Sequence, residues 1–285
     1  SFIFIAIIAF TDSSIDSSMR ITKEDNESLQ IETAMSRMEW DISQAYSPLY
    51  FDHFMDPQGM TPAEGEIYNE LADYYQSSSR FSMLSFNGLP VPIYQAPEKS
   101  SLIFLSSSNR RKMRNVKQSH FAWVKYELLS DDLLDELNAD RKNKNIDPLP
   151  TDLSMMVRRV HTSNIYGNED VDWENTKAQV LMRKVQSLKF EFWNPQSKKW
   201  VDNLDTIKNG AHLFHAVQVT IKYLDPDDQE VISVRIFRPN FPKFTPEEMY
   251  KFLKANTPAV PGALGVGRIP GVTNPPPSGG RIDEK

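Results

Sequence analysis

Apolar residues fall along this chain in three different spacings, and each predicts a different element. The first ten residues, SFIFIAIIAF, are apolar at nine positions and carry no charge. As a helix that run rises roughly 15 Å, about half of a ~30 Å hydrocarbon core, so by itself it cannot span a bilayer. The initiator Met and a basic n-region are both missing, so the run is not an intact signal peptide. It reads as the second half of a longer transmembrane helix. A buried N-terminal strand is the alternative, because Phe and Ile favour strands.

The second spacing is helical. No Pro or Gly occurs from Thr11 to Met38, and on a 100° wheel Ile31, Ala34, Met35, Met38, Ile42 and Ala45 share an arc of roughly 100°. That is a stripe meant for a core, and Pro48 ends it. Ile15, Thr22, Leu29, Thr33 and Trp40 gather on the opposite side within about 40°, a second and narrower seam. The first 47 residues are thus expected to form one long helix, greasy first, then solvated, then packed.

The third spacing alternates. SLKFEFW (187–193) puts Leu188, Phe190 and Phe192 on one face, NPQSKK turns it, and Trp200-Val201 returns. AVQVTIKYL (216–224) and EVISVRIF (230–237) repeat the pattern around DPDD. Two hairpins with one apolar face predict an antiparallel sheet covered on one side, with the helix stripe as its cover. RFSMLSF (80–86), SLIFLSS (101–107) and HFAWVKYELL (120–129) read as three more strands. Segments 52–79 and 130–175 are polar and irregular, elaborations with room for short helices. Six prolines and six glycines in residues 255–285 mark a flexible tail. The expected organisation is a protruding helix (1–30), a globular domain (31–254) and this tail (255–285), an α+β fold with a long N-terminal helix packed on antiparallel β-sheets.

Composition narrows the chemistry. A net charge of −6 argues against nucleic acid as a partner, since phosphate binding needs a basic face. Cysteine is absent, which removes disulfides, a thiolate nucleophile and cysteine metal sites. HLFH (212–215) leads into a strand, where positions three apart face opposite ways, so His212 and His215 do not form a metal pair there. GALGVG (262–267) has no strand before it and is not a dinucleotide loop. In GNEDVDWE (167–174), Asp170, Asp172 and Glu174 are the one calcium candidate, though without a full EF-hand loop a solvated acidic loop is the preferred reading. NRRKMRNVK (109–117) reads as an exposed hairpin loop. No catalytic residue and no cofactor is assigned.

Three segments resemble the J-type minor pseudopilins of the type II secretion system. LQIETAMSRMEWDISQAYSP (29–48) is similar to that family's helix-to-domain junction. VQSLKFEFWNPQSKKWVDN (185–203) looks like its strand-turn-strand, and LFHAVQVTIKYLDPDDQEVISVRIF (213–237) like its last hairpin. Together they cover about a third of the chain, in the family's order. The basic leader, cleavage site and aromatic-Thr-Leu-Ile-Glu start of the family are missing, so the chain is expected to be truncated within its transmembrane half.

The resemblance implies a non-enzymatic pilin-like subunit that joins I-, K- and H-type siblings at the tip of a pseudopilus driving export of folded proteins. It implies a single-pass inner-membrane protein with its domain in the periplasm, anchored through Phe2, Ile3, Phe4, Ile5, Ile7, Ile8 and Phe10. Ile15, Leu29 and Trp40 are the expected partner-binding residues. A minor pilin of a type IV pilus, or a membrane-tethered ligand-binding or hydrolytic domain, remains the alternative.

Overall fold

The computed structural model describes Ser18 and residues 29–50, 62–85, 88–109, 119–207, 210–225 and 227–240. The chain divides into two compact units, Ser1–Lys243 and Phe244–Lys285. All described residues lie in the first.

Its centre is a seven-stranded sheet in the order β3-β4-β5-β6-β8-β9, with β7 paired to β6 off this path. The strands are β3 (Leu102–Ser106), β4 (Ala122–Ser130), β5 (Ser154–His161), β6 (Ala178–Asn194), β7 (Lys199–Val201), β8 (Val217–Leu224) and β9 (Glu230–Phe237), and every pairing is antiparallel. A second sheet pairs β1 (Phe81–Leu84) with β2 (Pro90–Pro92). The described helices are residues 29–43 (α1), Pro62–Gln76 (α2) and Leu134–Asn143 (α3).

This corrects the expected fold class. Among the described residues the molecule is mostly β, a seven-stranded and a two-stranded antiparallel sheet with short helices, and not a long helix set on a small sheet. Two strands account for much of the difference. β5 (SMMVRRVH) and the first half of β6 (AQVLMRKVQ) lie where the sequence reads as polar elaboration or featureless, because charged side chains interrupt their alternation. The described stretch of α1 runs about 22 Å at 1.5 Å per residue. It stops before residue 47, for a backbone reason. Ala45 leaves the helix to bridge Ser106, and the Tyr46 amide donates to the Leu105 carbonyl at 2.9 Å. Pro48 then opens a 3₁₀ turn, Pro48–Tyr50.

The expected membrane placement is corrected too. Among the described residues no helix is long and apolar enough to cross a membrane. α1 is amphipathic, with Glu32, Ser36 and Glu39 exposed along it. Residues 1–10, including Phe2, Ile3, Phe4, Ile5, Ile7, Ile8 and Phe10, lie outside the described residues.

The inner face of the sheet carries the main core. Ala34, Met35, Met38, Ile42 and Ala45 pack with Leu102, Phe104, Val124, Tyr126, Leu188, Phe190, Phe192, Val217, Val219 and Ile221, all buried. A helix stripe and alternate strand residues meet there because the two periods, 3.6 and 2, each gather one face. Among the described residues the other face is covered at two places, at the end of β8, where Leu224 packs with Leu134 of α3, Leu149 and Leu153, and at the β3 end. There Ile103, Leu105 and Trp123 turn outward onto Tyr75 of α2, Phe81 and Leu84 of β1, and Ile165. β3 is therefore buried along its whole length.

Candidate functional site

α1 is fixed to the sheet by one buried carboxylate. Asp41 borders the apolar stripe, one turn after Met38, and both are fully enclosed. Its Oδ1 accepts from the Ser108 hydroxyl at 2.6 Å, and its Oδ2 accepts from the Tyr126 hydroxyl at 2.6 Å. The Arg158 guanidinium reaches both oxygens, Nε donating to Oδ2 and Nη2 to Oδ1 at 3.0 Å. Arg37, one turn earlier on the helix, adds Nη2 to Oδ1 at 3.1 Å. The Asp41 backbone carbonyl accepts from Ser106 Oγ at 2.9 Å. One residue thus ties α1 to β3, β4 and β5 and to the chain just after β3.

Burial would lower the pKa of the Arg158 guanidinium, but the hydrogen bonds and charge of Asp41 outweigh it and the net shift is upward. Burial, then the Asp41 charge, holds the Tyr126 hydroxyl protonated well above the ordinary phenol range. Asp41 and Tyr126 are fully enclosed and Arg158 nearly so, while Arg37 reaches the surface. Their chemistry is a bidentate, charge-assisted clamp, and its effect is to set which face of α1 looks outward.

That outward face is the expected second seam. Leu29 is 63% exposed and Trp40 is 40% exposed, with Thr33 exposed between them. Ile15 lies outside the described residues.

The acidic loop is organised from within. Asp170 accepts from the Ser79 hydroxyl. Asp172 accepts from the Asn175 amide at 3.0 Å and from Asn175 Nδ2 at 2.6 Å, hydrogen bonds that lower its pKa. Among the described residues no group of three His, Asp or Glu side chains could hold a metal ion, and Glu174 joins none. His212 Nδ1 sits 3.3 Å from the Pro92 carbonyl of β2, and its Nε2 3.3 Å from Ser82 Oγ of β1. Residues 110–118 of the basic cluster, His53 and GALGVG lie outside the described residues.

Sequence reasoning missed the clamp. The one available signal was a carboxylate abutting a core stripe, since a buried Asp must find cationic partners. No family model matches the chain, and no curated protein matches it.

Proposed function

We propose that this chain is a non-enzymatic assembly subunit of the type II secretion class, a minor pseudopilin that joins sibling subunits through the outward ridge of α1. The observation that carries the reading is the pairing of a helix clamped by Asp41 with an exposed Leu29–Trp40 ridge on its other side. A Trp and a Leu held on a rigid helix suit packing against neighbouring helices, and aromatic anchors dominate interface energies. The three segments that carry the resemblance also meet in one core. Residues 29–48 supply the stripe, 185–203 supply the second half of β6 and all of β7, and 213–237 supply β8 and β9. On this reading the subunit works by binding and geometry, without turnover.

Changing Leu29 and Trp40 together to Ser tests it. The double variant is expected to melt like the parent, because neither side chain belongs to the core, and to lose co-purification with I-, K- and H-type siblings. Undiminished co-purification would refute the ridge as the docking face.

A further inference from the structure

β9 is the last strand of the sheet, and its outer row has an unusual composition. Glu230, Ile232, Val234 and Ile236 share that row, and the alternation continues to Arg238, held extended by the Pro239 that follows. Ile232 is 59% exposed, and Val234 and Ile236 are each 52% exposed. Their backbone groups meet no second strand among the described residues. The hairpin closes with the Asp225 amide on the Gln229 carbonyl at 2.9 Å. In an antiparallel ladder every second pair exchanges hydrogen bonds, so the bonded pairs here are 223 with 231, 221 with 233, 219 with 235 and 217 with 237. The N–H and C=O groups of Glu230, Ile232, Val234 and Ile236 therefore point away from β8 to the open edge. Beyond Arg238 the Asn240 amide donates to the Ser43 carbonyl at the end of α1 at 2.7 Å, so as far as Asn240 the chain turns toward the inner face.

We propose that this edge pairs with β9 of a second copy of the chain, antiparallel about a two-fold axis at Val234. The row is self-complementary in that register. Glu230 faces the partner's Arg238, Ile232 faces the partner's Ile236, and Val234 faces its own mate. On the inner row Arg235 faces the partner's Ser233. Neighbouring registers are worse. A shift one way sets Arg235 against its own copy, a like-charge pair that destabilises a sheet. A shift the other way sets Glu230 against Ile236. Within its own chain Glu230 already holds Lys222 at 2.6 Å, so the partner's Arg238 completes a cation–carboxylate–cation row. Arg238 makes no ion pair among the described residues. The surface is independent of the α1 ridge, and the inference does not rest on the proposed function.

The chain has no cysteine, so single cysteines report the register directly. In a hydrogen-bonded antiparallel pair the Cα atoms lie about 5.5 Å apart, within disulfide reach. Val234→Cys in the full chain is expected to oxidise to a covalent dimer. Ile232→Cys alone should not, because its mate lies about 13 Å along the strand. Mixing Ile232→Cys with Ile236→Cys should cross-link again. By sedimentation velocity, Glu230→Lys or Arg238→Glu alone should weaken the dimer at least tenfold, and both together should restore it. Circular dichroism confirms that each variant is folded. A wild-type chain that stays monomeric with no Val234→Cys cross-link would overturn the proposal, as would Ile232→Cys cross-linking as fast as Val234→Cys.

Discussion

β3 and β9 are the two edges of one sheet, and they are treated in opposite ways. At β3 the chain covers its own edge. Ala45 bridges Ser106 and Gln95 bridges Ile103, the Gln95 and Ile103 amides exchange bonds with each other's carbonyls at 2.9 and 2.8 Å, and the Ser107 amide donates to Gln44. Both faces of that strand are packed as well. At β9 the inner face is covered, while among the described residues no strand or segment pairs with the edge, and three aliphatic side chains stand exposed in the outer row. Unpaired edges recruit other strands, and proteins usually blunt them with charges, Pro or covering segments. One edge here is blunted by several means and the other carries aliphatics between single charges. The contrast indicates that the open edge is a place for a partner rather than an unfinished boundary.

The largest expected effect tests what holds the covered end. Asp41→Ala leaves Arg158 as a buried, unpaired charge, and breaking a buried pair in this way costs about 3–5 kcal/mol. Glu32→Ala removes the carboxylate that α1 offers to Arg235 on β9, a pair exposed on both sides and worth about 0–1 kcal/mol. Urea melts of the two variants should therefore separate widely, although both residues sit on the same helix. Comparable losses would mean that the two ends are held alike.

A second pair of substitutions compares the edges themselves. Leu105→Ala on β3 removes a fully buried side chain between Trp123 and the α2 cluster, which costs about 2–5 kcal/mol. Val234→Ala on β9 should stay within about 0.5 kcal/mol in dilute protein, as exposed substitutions do. If Val234→Ala destabilises the dilute chain by more than the Leu105 variant, the exposure of β9 is not what the fold presents in solution.

The two ends were also unequally legible from sequence. β8 and the 188–192 stretch of β6 alternate cleanly because one face is core and the other is water. β5 does not, since Arg158 and Arg159 stand in the middle of it. Their partners come from elsewhere in the chain. Arg158 meets Asp41 from 117 positions away, and Arg159 meets Glu127 from 32 positions away. A window of ten residues contains neither partner, so the strand reads as solvated. The outward Leu29 and Trp40 were visible because a helix wheel needs only local spacing. The clamp that orients them was hidden because Ser108 and Tyr126 approach Asp41 from 67 and 85 positions away. The open row on β9 was hidden for the opposite reason. EVISVRIF has aliphatics on both faces, and only the sheet order shows that one of those faces is left bare.

The smallest expected effect distinguishes the ends by acid. His161 lies opposite Trp123 at the end of β5, and His212 lies against Ser82 of β1 and Pro92 of β2, so both belong to the covered end. Burial lowers the pKa of each. At His161 the Arg80 charge lowers it further against a backbone hydrogen bond, and at His212 the hydrogen bond to the Pro92 carbonyl offsets part of the shift. In the unfolded chain both protonate near the ordinary value of about 6.5. The folded state therefore binds fewer protons in this range, and its stability rises with pH. That contribution is complete above about 6.5 and is lost as pH falls through the lower folded values. β9 has no histidine, so the same descent titrates no imidazole on that strand. Replacing both histidines by Gln should flatten the fall in melting temperature between pH 7.5 and pH 5, while the carboxylates, common to parent and variant, leave the same residual slope. An unchanged slope in the double variant would show that neither ring is held neutral by the covered end.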